Sequence, residues 1–225
     1  RDSSRPSDQG FQESLIHLAG GIGQVGDFTN YYAGNQSYFD PTLWHNNEIK
    51  KYEGYCSDIF TDEALKFIEQ NKSNQFFCYL SFNAPHTPLQ VPEKYYDLYK
   101  DIDPSNFYEE VTSEMTERDV NDAKKIYGMV TNIDENFGKL LYKLEELDIK
   151  ENTIVIFLTD NGPQQTRYVS NLRGLKSQVY NGGIKVPLYF SYPKLYKKAK
   201  DIDFFGAHID VLPTLSKLCN LTIPT

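Results

Sequence analysis

The sequence is poor in cysteine, and its few cysteines form no recognisable pattern. The 225 residues include only 3 Cys. Cys56, Cys78 and Cys219 form neither a C-x-x-C pair nor another metal-binding spacing. An odd number of widely spaced cysteines does not indicate a disulfide framework, and Cys78, inside an apolar run, is most simply a buried thiol. The cysteines therefore leave the redox compartment open.

The sequence also lacks an excess of positive charge and a long apolar run. It has 23 Lys and Arg against 31 Asp and Glu, a formal net charge of -8. A broad nucleic-acid-binding surface needs a basic excess, so we expect no nucleic-acid partner. An anionic ligand would have to be bound by local cations rather than by the overall field. No apolar run is long enough to span a membrane, and no signal-like segment is recognisable.

The patterning of apolar residues is typical of an α/β domain. Apolar residues at steps of four and three predict an amphipathic helix over 116–147. A buried strand is predicted directly after it, at 153–159. Helices and strands alternate along the chain, which predicts an α/β sandwich with a mainly parallel sheet between helices, as one domain over 1–225. The other predicted elements are helices at 11–18, 57–70 and 211–218, strands at 75–82 and from Val186, and a proline-rich loop at 83–92.

Two polar residues follow the predicted strand 153–159 directly. Asp160 and Asn161 offer the oxygen ligands that a hard cation such as Ca²⁺ or Mg²⁺ prefers. They lie at the carboxyl end of a strand, where open α/β sheets bind ligands. However, Asp-Asn-Gly also suits a tight turn, and such a cation takes about six or more ligands. The residues alone leave the metal site and the turn as alternatives.

Basic and glycine residues follow in the next loop. Arg173 or Lys176, if near a metal, could bind the oxygens of a sulfate or phosphate. The alternative is a solvated loop. Gly174, Gly182 and Gly183 would let the backbone pass close to a ligand, or would simply form turns.

One histidine stands out among the four in the chain. His86 lies between Pro85 and Pro88, just after the predicted strand 75–82. This placement suits a proton donor or an anion ligand, although an ordinary loop histidine fits equally well. His208 precedes Asp210 at the start of the last predicted helix and could simply cap it, and the cases for His17 and His45 are weaker.

Several sequence blocks stand in order along the chain: 5–11 (RPSDQGF), 76–88 (FFCYLSFNAPHTP), 159–162 (TDNG), 172–187 (LRGLKSQVYNGGIKVP) and 208–215 (HIDVLPTL). Together they resemble the formylglycine-dependent sulfatases, the arylsulfatase-like branch of the alkaline phosphatase superfamily. The resemblance covers nearly the whole chain. It implies an alkaline-phosphatase-like fold and the hydrolysis of sulfate esters of aryl or carbohydrate compounds.

The resemblance also implies roles for individual residues. Asp160 and Asn161 would bind Ca²⁺, while His86 and Lys176 would contact the sulfate, with His86 near the leaving-group oxygen. The chain departs from the family at Asn181, where an acidic residue often precedes the Gly-Gly pair. The implied partner is a small sulfate ester or a sulfated glycan, and the family favours a periplasmic or secreted location.

The family's nucleophile has no counterpart in this sequence. That nucleophile is a Cys or Ser in a C/S-x-P-x-R motif, oxidised to formylglycine, and none of the three cysteines has this context. Residues 4–8 (SRPSD) come close but end in Asp. The family's early Lys and His and its paired aspartates are also absent. We therefore expect a fragment of the catalytic domain, without the nucleophile segment and the C-terminal end, and inactive by itself.

Other functions remain as alternatives. A phosphatase or phosphodiesterase of the same superfamily would often use two transition metals with more His and Asp ligands. A sulfatase-like domain could bind sulfated glycans without cleaving them, and an α/β domain without such a site is the third alternative. The tyrosine-rich stretch 31–55 could stack on a sugar or aryl group, or could serve only in packing.

Overall fold

The computed structural model describes residues 5–17, 21–28, 37–107 and 114–222. Short 3-10 turns occupy Pro6–Gln9, Pro104–Phe107, Lys150–Asn152 and His208–Asp210. The helices are α1 (Cys56–Asn71), α2 (Glu93–Tyr96), α3 (Glu117–Glu146), α4 (Asn181–Ile184) and α5 (Val211–Leu218), and the strands are β1 (Leu15–Ile16), β2 (Thr42–His45), β3 (Glu48–Lys51), β4 (Val155–Leu158) and β5 (Leu188–Ser191).

The longest helix, α3, begins and ends as its sequence predicts. Thr116 caps its N-terminus, because its hydroxyl accepts a hydrogen bond from the backbone N–H of Asp119 at 3.2 Å. The Asp119 carboxylate accepts the backbone N–H of Thr116 in return at 2.9 Å, which completes a capping box. At the other end Leu147 is the C-cap, and Asp148 takes a positive φ of 56°. The predicted helix over 116–147 is therefore confirmed.

Helices α1 and α3 are joined by a buried polar contact. Asn132 and Asn136, one turn apart on α3, are both 0% exposed. Their side-chain amides donate to the same carboxylate oxygen of Asp58 on α1, at 2.8 and 2.7 Å. The contact satisfies polar groups that would otherwise be costly to bury. It also fixes how the two helices sit against each other.

The hydrophobic core lies where the segment 37–55 meets α1 and α3. β2 pairs antiparallel with β1 and β3 in a small sheet, and Leu43 on β2 is fully buried. Tyr38 and Tyr55 stack at 5.8 Å between ring centroids. The cluster comprises Ile22, Tyr38, Leu43, Tyr55, Cys56, Ile59, Phe60, Ala84, Met129 and Ile133.

The strand directions differ from the prediction. β4 pairs antiparallel with β5, Val155 opposite Ser191 and Leu158 opposite Leu188. All strand pairs in the described ranges are antiparallel, so the expected mainly parallel sheet is not seen there. β4 returns to β5 through residues 159–187, in which the one helical element is the single turn α4. Parallel neighbours are usually joined by a crossover helix that packs on the sheet, and this connection has no helix of that length.

Two further element predictions are wrong. Residues 11–18 do not form a helix where they are described, because Leu15 and Ile16 pair with β2 as strand β1. Residues 75–82 have no regular secondary structure. Their apolar composition predicts a buried strand, but within the described ranges no neighbouring strand pairs with them. The predicted helices at 57–70 and 211–218, the loop at 83–92 and the strands at 153–159 and after Val186 are confirmed.

The C-terminal part of the chain is the least covered by its surroundings. On β5, Tyr189 is 68% exposed, and Phe204, Phe205 and Ile209 before α5 are almost wholly exposed. No helix within the described residues has the length and apolarity required to cross a bilayer.

Candidate active site

Two oxygen-bearing side chains lie just beyond the carboxyl end of strand β4. The Asp160 carboxylate accepts the backbone N–H of Asn161 at 2.8 Å through Oδ1. The Asn161 amide nitrogen donates to the carbonyl of Gly162 at 2.8 Å. These bonds make a tight turn and leave Asp160 Oδ2 and Asn161 Oδ1 without a hydrogen bond from the described residues. The turn and the ligand pair, which the sequence presents as alternatives, are therefore compatible.

Backbone hydrogen bonds close the loop that follows Asn161 onto the end of strand β4. Asp160 and Asn161 together are called the strand tip. The N–H of Lys176 donates to the carbonyl of Pro163 at 2.7 Å, and the N–H of Gly162 donates to the carbonyl of Gly183 at 2.9 Å. The N–H of Gly182 donates to the carbonyl of Arg173 at 2.7 Å. The loop therefore returns to its origin, and the residue Lys176 is held next to the Asp160–Asn161 tip.

Glycine is required where the backbone at Gly162 passes close to the backbone at Gly182. A Cβ on Gly162 would collide with the backbone of Gly182, and a Cβ on Gly182 would collide with the backbone carbonyls of Arg173 and Gly174. Gly174 itself has a φ of +103°, which favours glycine. The predicted Gly-Gly turn is in fact the single helical turn α4, in which Gly182 and Gly183 are buried.

Two basic side chains of this loop, those of Arg173 and Lys176, have different surroundings. The guanidinium of Arg173 lies over the ring of Tyr180, with 4.0 Å to the centroid, a cation–π contact. Lys176 is half-buried, and across the described ranges its ammonium group forms no ion pair. Lys176 is therefore a cation that this loop leaves available to an anion.

His86 is held in a defined orientation on a separate loop. Its Nδ1 lies 2.8 Å from the carbonyl of Thr87, which places the proton of the neutral ring on Nδ1 and leaves Nε2 free. The Tyr38 hydroxyl donates to the carbonyl of His86 at 2.8 Å, and the Asn83 amide donates to that hydroxyl at 2.5 Å. Burial raises the pKa of Tyr38 far above its ordinary value, so it remains a donor. No hydrogen bond among the described residues joins His86 to Asp160 or Lys176.

The described part of the tyrosine-rich stretch supports this histidine loop. Gln90 accepts the backbone N–H groups of Ser37 and Tyr38, both at 2.9 Å. The Tyr55 hydroxyl donates to the Gln90 carbonyl at 2.9 Å. Tyr38 and Tyr55 are therefore packing residues, and His45 is engaged with the Tyr52 hydroxyl. The remainder of the stretch, 31–36, lies outside the described residues.

His208 has a role at the tip that differs from a helix cap. Its Nε2 lies 2.8 Å from the carbonyl of Thr159, the residue before Asp160. The carboxylate of Asp210, rather than His208, accepts the backbone N–H of Ala207 at 2.8 Å. His208 thus ties the start of α5 to the end of β4.

The donor set at the tip fits part of a hard-cation site. Asp160 and Asn161 supply carboxylate and amide oxygens, the ligand types that Ca²⁺ selects. Within the ranges described above, no three His, Cys, Asp or Glu side chains come together as a metal-binding group. These two residues therefore match a cation such as Ca²⁺ in chemistry and provide a minority of its ligands.

Sequence reasoning missed one residue of this loop, Arg167. It is half-buried, and its guanidinium donates to the Gln165 side chain at 3.3 Å. Burial lowers the pKa of Arg167 to about 10, against a smaller opposing effect of the Tyr127 phenol. In the sequence, the indication that Arg167 could belong to the site was its position between the blocks 159–162 and 172–187.

Comparisons with known proteins give a consistent result. The family model described as Sulfatase matches residues 7–221. An uncharacterised sulfatase of Schizosaccharomyces pombe is 26% identical over 97% of this chain and 54% of its own length. An arylsulfatase of Clostridium perfringens is 29% identical over 84% of this chain and 44% of its own length.

Solved structures agree with the sequence matches. The crystal structure of Ps i-CgsB in complex with k-i-k-neocarrahexaose has 27% sequence identity and a TM-score of 0.80, and it covers 100% of this chain and 49% of that one. The match confirms the predicted α/β, alkaline-phosphatase-like fold. The chain spans about half the length or less of the relatives named here.

Proposed function

The chain belongs to the sulfatase family, and from this premise we propose that it is part of the catalytic domain of a sulfuric ester hydrolase. One observation carries the proposal: a backbone hydrogen bond to Pro163 holds Lys176 on the loop that begins at an acidic strand tip, and within the described residues the Lys176 ammonium group forms no ion pair. A metal ligand pair and a cation, held on one closed loop, suit an anionic ester such as a sulfate monoester.

The tip is the proposed metal site. Asp160 Oδ2 and Asn161 Oδ1 would hold Ca²⁺, with further ligands from elsewhere in the protein. When bound, Ca²⁺ supplies Lewis-acid neutralisation of charge on the sulfate oxygens.

Lys176 and His86 would contact the sulfate ester. The Lys176 ammonium binds a sulfate oxygen, and its fixed position makes it a preorganised electrostatic contact. The Nδ1 bond to Thr87 fixes the His86 ring. The Nε2 atom would then face the leaving-group oxygen, and in the doubly protonated ring it would donate the proton that this oxygen needs.

The nucleophile is proposed to lie outside this chain. Burial raises the pKa of Cys56 and of Cys78, which makes both thiols poor nucleophiles. Cys219 is exposed but lies after α5, without the C/S-x-P-x-R context. Formylglycine in a segment outside these 225 residues would supply the attacking group, as the family resemblance implies.

A carbohydrate sulfate is the favoured substrate class. Ps i-CgsB has been crystallised with k-i-k-neocarrahexaose, and its structure matches 100% of this chain. An aryl sulfate is the natural reporter substrate, since an arylsulfatase is among the relatives. A secreted or periplasmic location is part of the same proposal.

The test uses the full-length protein that contains this chain. We expect sulfate release from 4-nitrophenyl sulfate, loss of that release on chelation, and its recovery with Ca²⁺. Asp160→Ala should raise the Ca²⁺ concentration needed for half-maximal activity, whereas Asp201→Ala, at an exposed position, should not.

Other results would favour the alternatives. Release of phosphate from 4-nitrophenyl phosphate, with transition metal in the protein and no sulfate release, would indicate a phosphatase. Release of 4-nitrophenol from bis(4-nitrophenyl) phosphate under the same conditions would indicate a phosphodiesterase. Binding of a sulfated glycan without any hydrolysis would indicate a binding domain.

A further inference from the structure

Lys176 occupies the second position of a tight turn. The backbone N–H of Gln178 donates to the carbonyl of Leu175 at 3.0 Å, so residues 175–178 form a hydrogen-bonded β-turn. The N–H of Lys176 itself donates to the carbonyl of Pro163. The direction in which the Lys176 side chain leaves the loop therefore depends on the conformation of this turn.

The third position of the turn holds a residue that does not favour the conformation it adopts. Ser177 has a φ of 69°, whereas the φ of Lys176 is not positive. A positive φ at the third position alone is typical of a type II turn, which favours glycine or asparagine there. For a serine this left-handed conformation costs free energy. The turn therefore depends on contacts that offset this cost.

The side chain of Gln178 supplies one such contact. Its Oε1 atom accepts the backbone N–H of Leu175 at 3.1 Å, so the two ends of the turn are joined by two hydrogen bonds. The carbonyls of Leu175 and Gln178 also lie so close to Gly183 that a Cβ on Gly183 would collide with both. The turn thus combines backbone contacts with a side-chain bond that a single substitution can remove.

We propose that Gln178 is a positioning residue for Lys176. Its side chain holds the turn 175–178 in the conformation that presents the Lys176 ammonium group to the sulfate ester, and it acts through the turn rather than on the ester. The inference rests on the proposed function, because it takes from there the role of Lys176 as a ligand of the sulfate oxygens.

The first variant removes the acceptor and keeps the length of the side chain. In the full-length protein Gln178→Met should lower kcat/KM for 4-nitrophenyl sulfate by about threefold to tenfold, the effect of one hydrogen bond. KM should rise, because Lys176 binds the sulfate less well, whereas a loss of folded protein would lower kcat alone. Gln70→Met, at an exposed position of α1, is the matched control and should behave as the wild type. An unchanged KM in Gln178→Met would overturn the inference.

A double-mutant cycle tests whether Gln178 acts through Lys176. In a protein that already carries Lys176→Ala, a change in the turn has no ammonium group to displace. Gln178→Met should then change kcat/KM by less than about twofold. The same loss in this background as in the wild type would overturn the positioning role.

Substitutions of Ser177 test the turn without a change at Gln178. Ser177→Gly removes the cost of the positive φ, so adding it to Gln178→Met should restore kcat/KM to within about twofold of the wild type. Ser177→Val raises that cost, because a β-branched residue rarely adopts a positive φ, and it should reproduce the loss with Gln178 intact. Ser177→Val also serves where Gln178→Met does not fold. No recovery with Ser177→Gly, or wild-type kcat/KM in Ser177→Val, would contradict the inference.

Binding of inorganic sulfate separates this inference from the proposed function. Calorimetric titration of the full-length protein gives the Kd of sulfate for the wild type, Gln178→Met and Lys176→Ala. We expect about threefold to tenfold weaker binding in Gln178→Met, and no further weakening when this change is added to Lys176→Ala. That result would support the positioning role even in a protein that hydrolyses no sulfate ester, in which case the proposed function alone fails. A Kd unchanged in Gln178→Met would overturn the positioning role even in an active sulfatase.

Discussion

The backbone N–H of Lys176 donates to the carbonyl of Pro163 at 2.7 Å. Pro163 lies three residues after Asp160, so this single bond brings Lys176 back to the end of strand β4. The side chains that would bind a metal and an anion are thus set by backbone geometry. That geometry in turn depends on residues that never touch a ligand.

The close approach of the backbone at Gly182 to Arg173 and Gly174 gives a first test of whether the site depends on the backbone of this loop. Gly182→Ala would drive a Cβ into the carbonyls of Arg173 and Gly174, so the loop must open. We expect sulfate release by the full-length protein to fall at least tenfold. Gly206→Ala is the control, because nothing lies within 4 Å of the point that its new Cβ would occupy, and it should retain wild-type activity. Equal activities of the two variants would contradict the account.

The buried asparagine pair predicts a loss of stability without a role in chemistry. Asn136→Ala removes one of two amides that donate to Asp58, which leaves part of a half-buried carboxylate unsatisfied. The free energy of unfolding should fall by about 1–3 kcal/mol, measured by urea denaturation. Asn74→Ala, at an exposed position, should change it by less than about 0.5 kcal/mol. A similar effect of both substitutions would show that the contact does not join the helices.

Tyr38 is expected to affect turnover through the histidine loop. Tyr38→Phe keeps the buried ring but removes the hydroxyl that contacts the His86 carbonyl and the Asn83 amide. We expect kcat on 4-nitrophenyl sulfate to fall about threefold to tenfold, because the His86 ring is then less well positioned. Tyr142→Phe, at a side chain 70% exposed, is the control. Unchanged kcat in Tyr38→Phe would mean that the loop does not need this anchor.

Stability should fall on the alkaline side. Burial raises the pKa of Tyr38 and of Tyr55 from the ordinary value of 10.0. Above about pH 10 the unfolded chain loses these protons while the folded chain keeps them, so the unfolding free energy decreases as pH rises. Between pH 10 and 11 each tyrosine accounts for about 1 kcal/mol of this loss. Tyr55→Phe should make the decline shallower in urea titrations, and an unchanged slope would contradict the assignment.

Local periodicity predicted helices α1, α3 and α5, because each carries its own signal, whereas the helix predicted at 11–18 was wrong. The steps of four and three along α3, together with the Thr116–Asp119 capping box, define that helix without reference to the rest of the protein. The tip residues Asp160 and Asn161 were also predictable, since they follow an apolar strand directly.

Pairing partners were harder to predict, because they lie far away in the chain. Residues 75–82 are as apolar as a buried strand, but pairing depends on a neighbour that their own sequence does not specify. The same holds for β1, whose two residues pair only because β2 lies beside them. Arg167 was missed for a related reason: its partial burial depends on how the loop folds, which its own sequence does not specify.

The role of Lys176 is the most direct test of the central claim that this loop binds a sulfate ester. The measurement is the rate of sulfate release from 4-nitrophenyl sulfate by the full-length protein, as wild type, as Lys176→Ala, and as Lys200→Ala at an exposed control position. The account predicts at least a tenfold lower rate for Lys176→Ala and a wild-type rate for Lys200→Ala. A near-normal rate for Lys176→Ala would contradict it.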